Sequence, residues 1–402
     1  MKRKFLKFSL IIIVSLGILI AVPYFVVHFN RTAEEKAAQA IVDKQQEDIK
    51  EIISRRQLER TSVGDDEDPF GEDGIVRVLL IGLDSRAGQT AGHCDVIQMI
   101  EIDKNNNIVN ITAIPRGTYS SLPPGKATTS TDYYVSNACG LAGLDYGINQ
   151  IEKISGKKAD YLVMVGFSET LGILRNLKLP TTETLQWLRQ RQGYAIGEPQ
   201  RARNHSTFIK QLLTKYLPDD HSKIDTAFHY ILYKIIKTDL TFAESEKIVD
   251  ALIDMDIKNN PDKISLSMRP SYNVLDIPYD PDTAGEYVKS MIDPVKGYLK
   301  GTSYTGITTE EADQRIVDTI DKKISDDEFV LWAYDNQLWL QIEDDIIREE
   351  KQYEITWKYL NQVSGEEQQL IVADYVLEMR YLGLEDWAVK GEDWIKAEIT
   401  KN

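Results

Sequence analysis

The chain has little cysteine and no general basicity. Its 402 residues include two cysteines, and 47 lysines and arginines stand against 63 aspartates and glutamates, a net charge of −16. That balance, with a pI near 4.9, argues against nucleic acid as a partner. Cys94 and Cys139 do not form a CxxC pair, and the sequence contains neither GxSxG nor HExxH. Covalent nucleophilic catalysis therefore has little support. The spacing GxGxxG and the GKS or GKT of a phosphate loop are also missing. Neither a dinucleotide nor a nucleoside triphosphate site is indicated.

One long hydrophobic run is present. Phe8 to Phe29 carries no formal charge beyond His28, and Lys2, Arg3, Lys4 and Lys7 precede it. The run is long enough to span a bilayer. The basic flank predicts a short cytoplasmic tail, with everything after residue 30 outside a cytoplasmic membrane. The run is too long for a signal-peptide core and lacks a clean small-x-small cleavage site, so we read it as a retained single-pass anchor. Outside the membrane, Cys94 and Cys139 can form a disulfide, or each can sit as a small buried hydrophobe.

The rest divides by texture. Residues 31–62 are charged and rich in Ala and Gln, with apolar positions at helical spacing, and residues 63–74 are acidic and turn-rich. Residues 31–74 thus read as a helical stalk and flexible linker. From 75 to about 300, apolar runs such as IVRVLLIGL, VIQMIEID, IVNITAI, ADYLVMVGF and DKISLSMR interleave with helical patterns. This predicts one layered α/β or α/β/α domain. Residues 301–402 are helical, acidic and aromatic, and hold five of the six tryptophans. An aromatic stripe at helical spacing reads as core, so this region is expected to be a helical appendix without chemistry of its own.

The candidate chemistry lies in the α/β region. Asp84 and Arg86 follow the first strand, where open α/β sheets bind ligands. Asp95 opens the next strand and Arg116 closes the one after it. His93 is adjacent to this group and reads as structural or solvent-facing. Arg189 and Arg191 stand two apart, facing the same way if extended, and Arg201 and Arg203 lead towards a helix near Asn204. Aspartates suit Mg²⁺, which binds through one or two carboxylates plus phosphates. Arginines suit phosphate through their forked donors, and a helix start favours an anion. In so acidic a chain, such arginines predict a bound pyrophosphate with a divalent metal. The competing reading is surface ion pairing with surplus Asp and Glu.

These motifs resemble the LytR-CpsA-Psr family of cell-envelope enzymes over about residues 75–270. The family's G-x-D-x-R stands as Gly82-Leu83-Asp84-Ser85-Arg86, and its Arg-Ser-Asp as His93-Cys94-Asp95. Its Ser-Ile-Pro-Arg-Asp stands as Ala113-Ile114-Pro115-Arg116-Gly117, and its Arg-x-Arg as Arg189-Gln190-Arg191. Its closing Arg-x-x-Arg-Gln aligns with Arg201-Ala202-Arg203-Asn204-His205, and its Thr-Asp-Leu with Thr238-Asp239-Leu240. The departures are His93, Gly117, Asn204 and His205, and the missing Gly-Gly-Val after the YLVMVGF strand.

The resemblance implies a three-layer α/β/α domain with a central mixed sheet. It also implies a membrane-anchored, Mg²⁺-dependent phosphotransferase. Such an enzyme would move a glycopolymer from a polyprenyl-pyrophosphate carrier to peptidoglycan or a related envelope glycan. Asp84 and Asp95 would then hold the metal or activate the acceptor. Arg86, Arg116, Arg189, Arg191, Arg201 and Arg203 would hold the pyrophosphate. Asp84, Asp95, Arg116 and Arg191 are the expected catalytic set. A hydrolase of the same pyrophosphate, and a non-catalytic binder of lipid-linked saccharide, stay open beside it.

Overall fold

The computed structural model describes residues 47–60, 68–83, 92–298 and 309–401. The anchor Phe8–Phe29 lies outside them. Among the described residues no helix is long and apolar enough to cross a membrane.

Six strands form one mixed sheet: β1 (Ile75–Leu83), β2 (Cys94–Asp103), β3 (Ile108–Ala113), β4 (Tyr161–Val165), β5 (Lys237–Thr238) and β6 (Ile264–Met268), in the order β5-β4-β1-β2-β3-β6. The pairs β1–β2, β2–β3 and β4–β5 are antiparallel, whereas β1–β4 and β3–β6 are parallel. Alternate residues of each strand point to opposite faces, and here both faces are buried. Leu79, Ile81, Ile97 and Met99 enter one core, while Val76, Val78, Ile100 and Ile102 enter the other. That explains why these strands read as near-continuous apolar runs.

The first core is closed by residues 47–60 (α1), α2 (Val135–Ala142) and α3 (Leu144–Ser155). After α4 (Phe167–Asn176) and α5 (Thr181–Arg189), the second is closed by α6 (Gly197–Tyr216) and, beyond α7 (Thr226–Ile235), by α8 (Phe242–Asp254). The expected stalk is helical where it is described, but it does not stand free. Ile49 and Ile52 are buried in the first core. Arg56 and Arg60 also reach Asp239, at 2.6 and 2.9 Å. The end of the acidic linker is pinned too, with Phe70 buried under Lys104.

After α9 (Ala284–Ile292), the C-terminal region is helical as expected: α10 (Thr309–Lys323), α11 (Asp327–Asp335), α12 (Asp345–Tyr359), α13 (Gly365–Tyr381) and α14 (Glu385–Lys401). Its aromatics are mainly core. Phe329, Trp339 and Tyr375 are buried within its own clusters. The region docks on α4, where Arg175 donates to the carbonyls of Leu340 and Ile342 at 2.5 and 3.0 Å.

Candidate functional site

Asp95 follows Cys94 on β2, and Cys94 is joined to Cys139 of α2 by a disulfide. The bond ties the strand that carries Asp95 to the helix packed over it. Arg116 lies beyond the end of β3, the strand next to β2. Adjacent strand ends bring the two together, and Arg116 Nη1 donates to Asp95 Oδ1 at 2.7 Å.

The third component comes from the start of α6. Buried Gln98 on β2 donates to the Ala202 carbonyl at 3.1 Å and accepts from Ser206 at 2.7 Å. These bonds set the first turns of α6 against the sheet. Glu198, in the first turn, becomes the hub. It meets Arg116 Nε at 3.3 Å, Arg191 Nη1 at 2.6 Å and Arg201 Nη2 at 2.9 Å. Arg201 is buried, and its Nη2 also approaches the Asp95 carbonyl at 3.5 Å. Guanidinium groups from three chain segments therefore surround one carboxylate beside Asp95.

The 190–197 turn delivers Arg191. Gln190 is fully buried, while Arg189 and Arg191 on either side are exposed. Gly193 has φ +80°, a conformation that L side chains rarely adopt. A Cβ at Gly197 would lie 2.5 Å from the Arg191 carbonyl oxygen, so only glycine lets the turn close this tightly. Asn204 donates to the Tyr194 hydroxyl at 3.1 Å and holds the turn from inside. His205 Nε2 lies 2.7 Å from the Leu188 carbonyl, which can only accept, so the ring donates there. Two positions that depart from the family pattern thus support the arginine-bearing segment.

Electrostatics follow from this geometry. Burial pushes the Glu198 carboxyl up, but Arg201, Arg116 and Arg191 together outweigh burial and hold it below the ordinary carboxylate range. Burial lowers Arg201, and the neighbouring arginines add to this, while Glu198 opposes it. Burial also pushes His205 down to about 4, with the charge of Arg201 adding to the effect.

Asp95, Arg116, Arg191 and Arg201 are thus brought together. Arg189 ends α5, next to the Arg191 turn. Arg203 pairs with Asp276 rather than with Glu198. The helix starts at Gly197, not near Asn204, and residues two apart on a helix point to well-separated sides. Asp84 and Arg86 lie outside the described residues. The Nδ1 of His93 is buried and has no hydrogen-bond partner among the described residues. Glu198 is the residue that sequence reasoning missed. Its signal was a lone acid three residues before Arg201, where a helix start favours negative charge.

The LytR_cpsA_psr family model matches residues 23–171. A polyisoprenyl-teichoic acid–peptidoglycan teichoic acid transferase, TagU, of Bacillus cereus is 23% identical over 163 residues, covering 40% of this chain and 51% of that protein. The like-named protein of Bacillus mycoides is 29% identical over 97 residues, covering 23% of this chain and 30% of that one. The match thus spans about half the length of these curated relatives, or less. The crystal structure of B. subtilis TagV aligns with a TM-score of 0.42 at 13% identity, over 56% of this chain and 98% of that one. With the strand-end motifs and the family match in place, residues 23–171 of the chain are identified as a LytR-CpsA-Psr family region.

Proposed function

We propose that this protein is a membrane-anchored phosphotransferase. It would move a glycopolymer from a polyprenyl-pyrophosphate carrier onto peptidoglycan or a related envelope glycan. One observation carries the reading. Arg116, Arg191 and Arg201 converge on Glu198 beside Asp95. Three cations against two carboxylates leave a net positive site that fits a pyrophosphate. Surface ion pairing is the poorer account, because Arg201 is buried and the arginines around Glu198 come from three separate segments.

In this reading an acceptor hydroxyl attacks the saccharide-bearing phosphorus. The bond from that phosphorus to the bridging oxygen breaks, and polyprenyl phosphate leaves. The hydroxyl proton passes to a carboxylate, for which Asp95 is the described candidate. The arginines stabilise charge on the phosphoryl oxygens and the leaving phosphate. Their hold on Glu198 keeps them in place before the donor arrives.

Asp95 also fits magnesium as a hard oxygen donor. Among the described residues no group of three His, Cys, Asp or Glu gathers as a metal cage. A magnesium site of the usual phosphate-transfer kind needs one or two carboxylates, completed by phosphate oxygens and water. Asp95 would hold the ion together with Asp84 of the sequence motif. When bound, it would neutralise charge on the pyrophosphate.

The test is turnover by the full chain in detergent, with a polyprenyl-pyrophosphate-linked saccharide as donor. Magnesium-dependent release of polyprenyl phosphate, with saccharide joined to an added glycan, is expected. Release without joining makes the protein a pyrophosphate hydrolase. Donor binding with no release at all makes it a non-catalytic carrier-binding protein.

A further inference from the structure

Directly after Arg116 the chain forms a small aromatic platform. Residues 118–120 pair with 133–135: Ser120 donates its N–H to the Tyr133 carbonyl at 2.8 Å, and Val135 to that of Thr118 at 2.8 Å. Tyr119 and Tyr134 face each other across this pairing. Tyr119 stacks on Tyr133, with ring centres 5.9 Å apart. All three rings lie in water, at 70%, 38% and 41% exposure for Tyr119, Tyr133 and Tyr134. Among the residues up to 295 whose exposure is described, the only other tyrosine as exposed is Tyr272.

The platform is preformed. The Asp132 carboxylate accepts the backbone N–H groups of Thr128 and Thr129 at 2.7 and 2.8 Å and both their hydroxyls at 3.0 and 2.9 Å. Tyr146 on α3 donates to the Ser121 carbonyl at 3.1 Å. The Cys94–Cys139 disulfide joins the helix behind the platform to the strand of Asp95. The platform is also joined to the site, because Ser136 donates to the Arg116 carbonyl at 3.1 Å. Three residues of chain, at most about 11 Å, separate Arg116 from Tyr119.

Its chemistry is neutral. Between Gly117 and Tyr134 the charged residues are Lys126 and Asp132, and Asp132 is occupied by its own loop. Hydroxyls dominate the rest. A surface that recruited anionic lipid would carry several basic residues. Open aromatic faces among hydroxyls instead suit a ligand with apolar C–H faces and many hydroxyls, which is a saccharide.

We propose that the Tyr119–Tyr133–Tyr134 platform is the acceptor subsite, binding uncharged sugar rings of the receiving glycan next to Arg116 and Asp95. This rests on the transferase reading, and it adds where the acceptor lies and which side chains hold it.

The experiment measures binding rather than turnover, so the two readings fail separately. The full chain in nanodiscs is titrated with N-acetylchitotetraose by calorimetry. Binding is expected, weakened tenfold or more by Tyr119→Ala with Tyr133→Ala, and kept within threefold by Tyr119→Phe with Tyr133→Phe. An unchanged unfolding midpoint shows that the alanine variant is folded. If it is not, Tyr119→Ser alone takes its place, with a loss of at least threefold expected. Absence of binding by the parent chain, or equal affinity in the alanine or serine variant, overturns the proposal. A membrane role is separated with 3-fluorotyrosine, the Tyr119 signal being assigned by its loss in Tyr119→Phe. Broadening of that signal by spin-labelled lipid headgroups, with no shift on adding glycan, overturns the proposal in favour of the membrane surface.

Discussion

Two carboxylates in this molecule are each gripped by arginines, and they are built differently. Asp239 is wholly buried and meets Arg56 and Arg60 at 2.6 and 2.9 Å, while its other oxygen accepts the Leu162 N–H at 2.7 Å. Arg56 Nη2 also donates to the carbonyls of Ala159 and Asp160, at 3.1 and 2.9 Å. That cluster is closed, and it fastens α1 to the sheet. Glu198 is partly open and surrounded by three guanidiniums, of which Arg191 is 44% exposed. The same residue types thus make a clasp in one place and a receptive site in the other. Burial and the count of charges separate the two.

The largest expected effect breaks the clasp. Asp239→Ala leaves two partly buried arginines and the buried Leu162 N–H without their partner and should cost about 3–5 kcal/mol of stability. Urea unfolding measures it, and turnover per folded molecule should survive. An intact urea midpoint would remove the distinction between the two clusters.

Arg116→Ala should do the reverse. Loss of one donor to a developing phosphoryl charge lowers turnover about 100- to 1000-fold. The urea midpoint should move less than for Asp239→Ala, since Arg116 and Asp95 keep 28% and 23% of their side-chain surface exposed and Arg191 and Arg201 still hold Glu198. A large stability loss with normal turnover would make the Glu198 cluster a second clasp.

Replacing Cys94 and Cys139 together by serine removes a cross-link between residues 45 apart. A stability loss of about 2–4 kcal/mol is expected. Because Asp95 adjoins the bond, turnover should also fall, which separates this change from a remote destabilisation.

His205 provides a pH test. Its folded-state value is about 4, against an ordinary 6.5, so the unfolded chain takes up the proton first. Its contribution is full above about 6.5 and is lost progressively as pH falls towards about 4, by roughly 3 kcal/mol at most. His205→Gln should flatten the urea midpoint over that window relative to the parent chain. Parallel pH profiles would show that burial of the ring is not the cause.

The smallest effect sharpens the role of Glu198. Glu198→Gln removes the anion that competes for the arginines, so inorganic pyrophosphate should bind about tenfold tighter, close to 1.4 kcal/mol. Calorimetry reads it directly. Weaker binding would mean that Glu198 positions the arginines more than it occupies them.

Much of the sheet was legible from the chain alone. The run from Ile75 to Leu83 and the pair split by Lys104–Asn107 appear as strands, because both faces are buried and local turn chemistry divides them. Of the C-terminal tryptophans, Trp339 is buried, and Trp332, Trp357 and Trp387 pack partly buried against the region's own clusters. The site was legible only in part. Arg116, Arg191 and Arg201 stood out as cations in an acidic chain, but Glu198 did not, because nothing local says that arginines from three segments turn towards one carboxylate. Arg203 looked equivalent to Arg201, and a helix that starts earlier than expected turned it towards Asp276.

What the sequence determined by itself is short-range: which segments bury, where strands end, and which residue types can hold a phosphate. Hydropathy period and side-chain chemistry are local properties. Tertiary structure decided the rest. It paired Cys94 with Cys139, turned the described part of the stalk into a packed helix, and brought Asp95, Arg116, Arg191 and Arg201 around Glu198. Those outcomes depend on strand order and helix phase across more than 100 residues, and no local pattern encodes a distance of that kind.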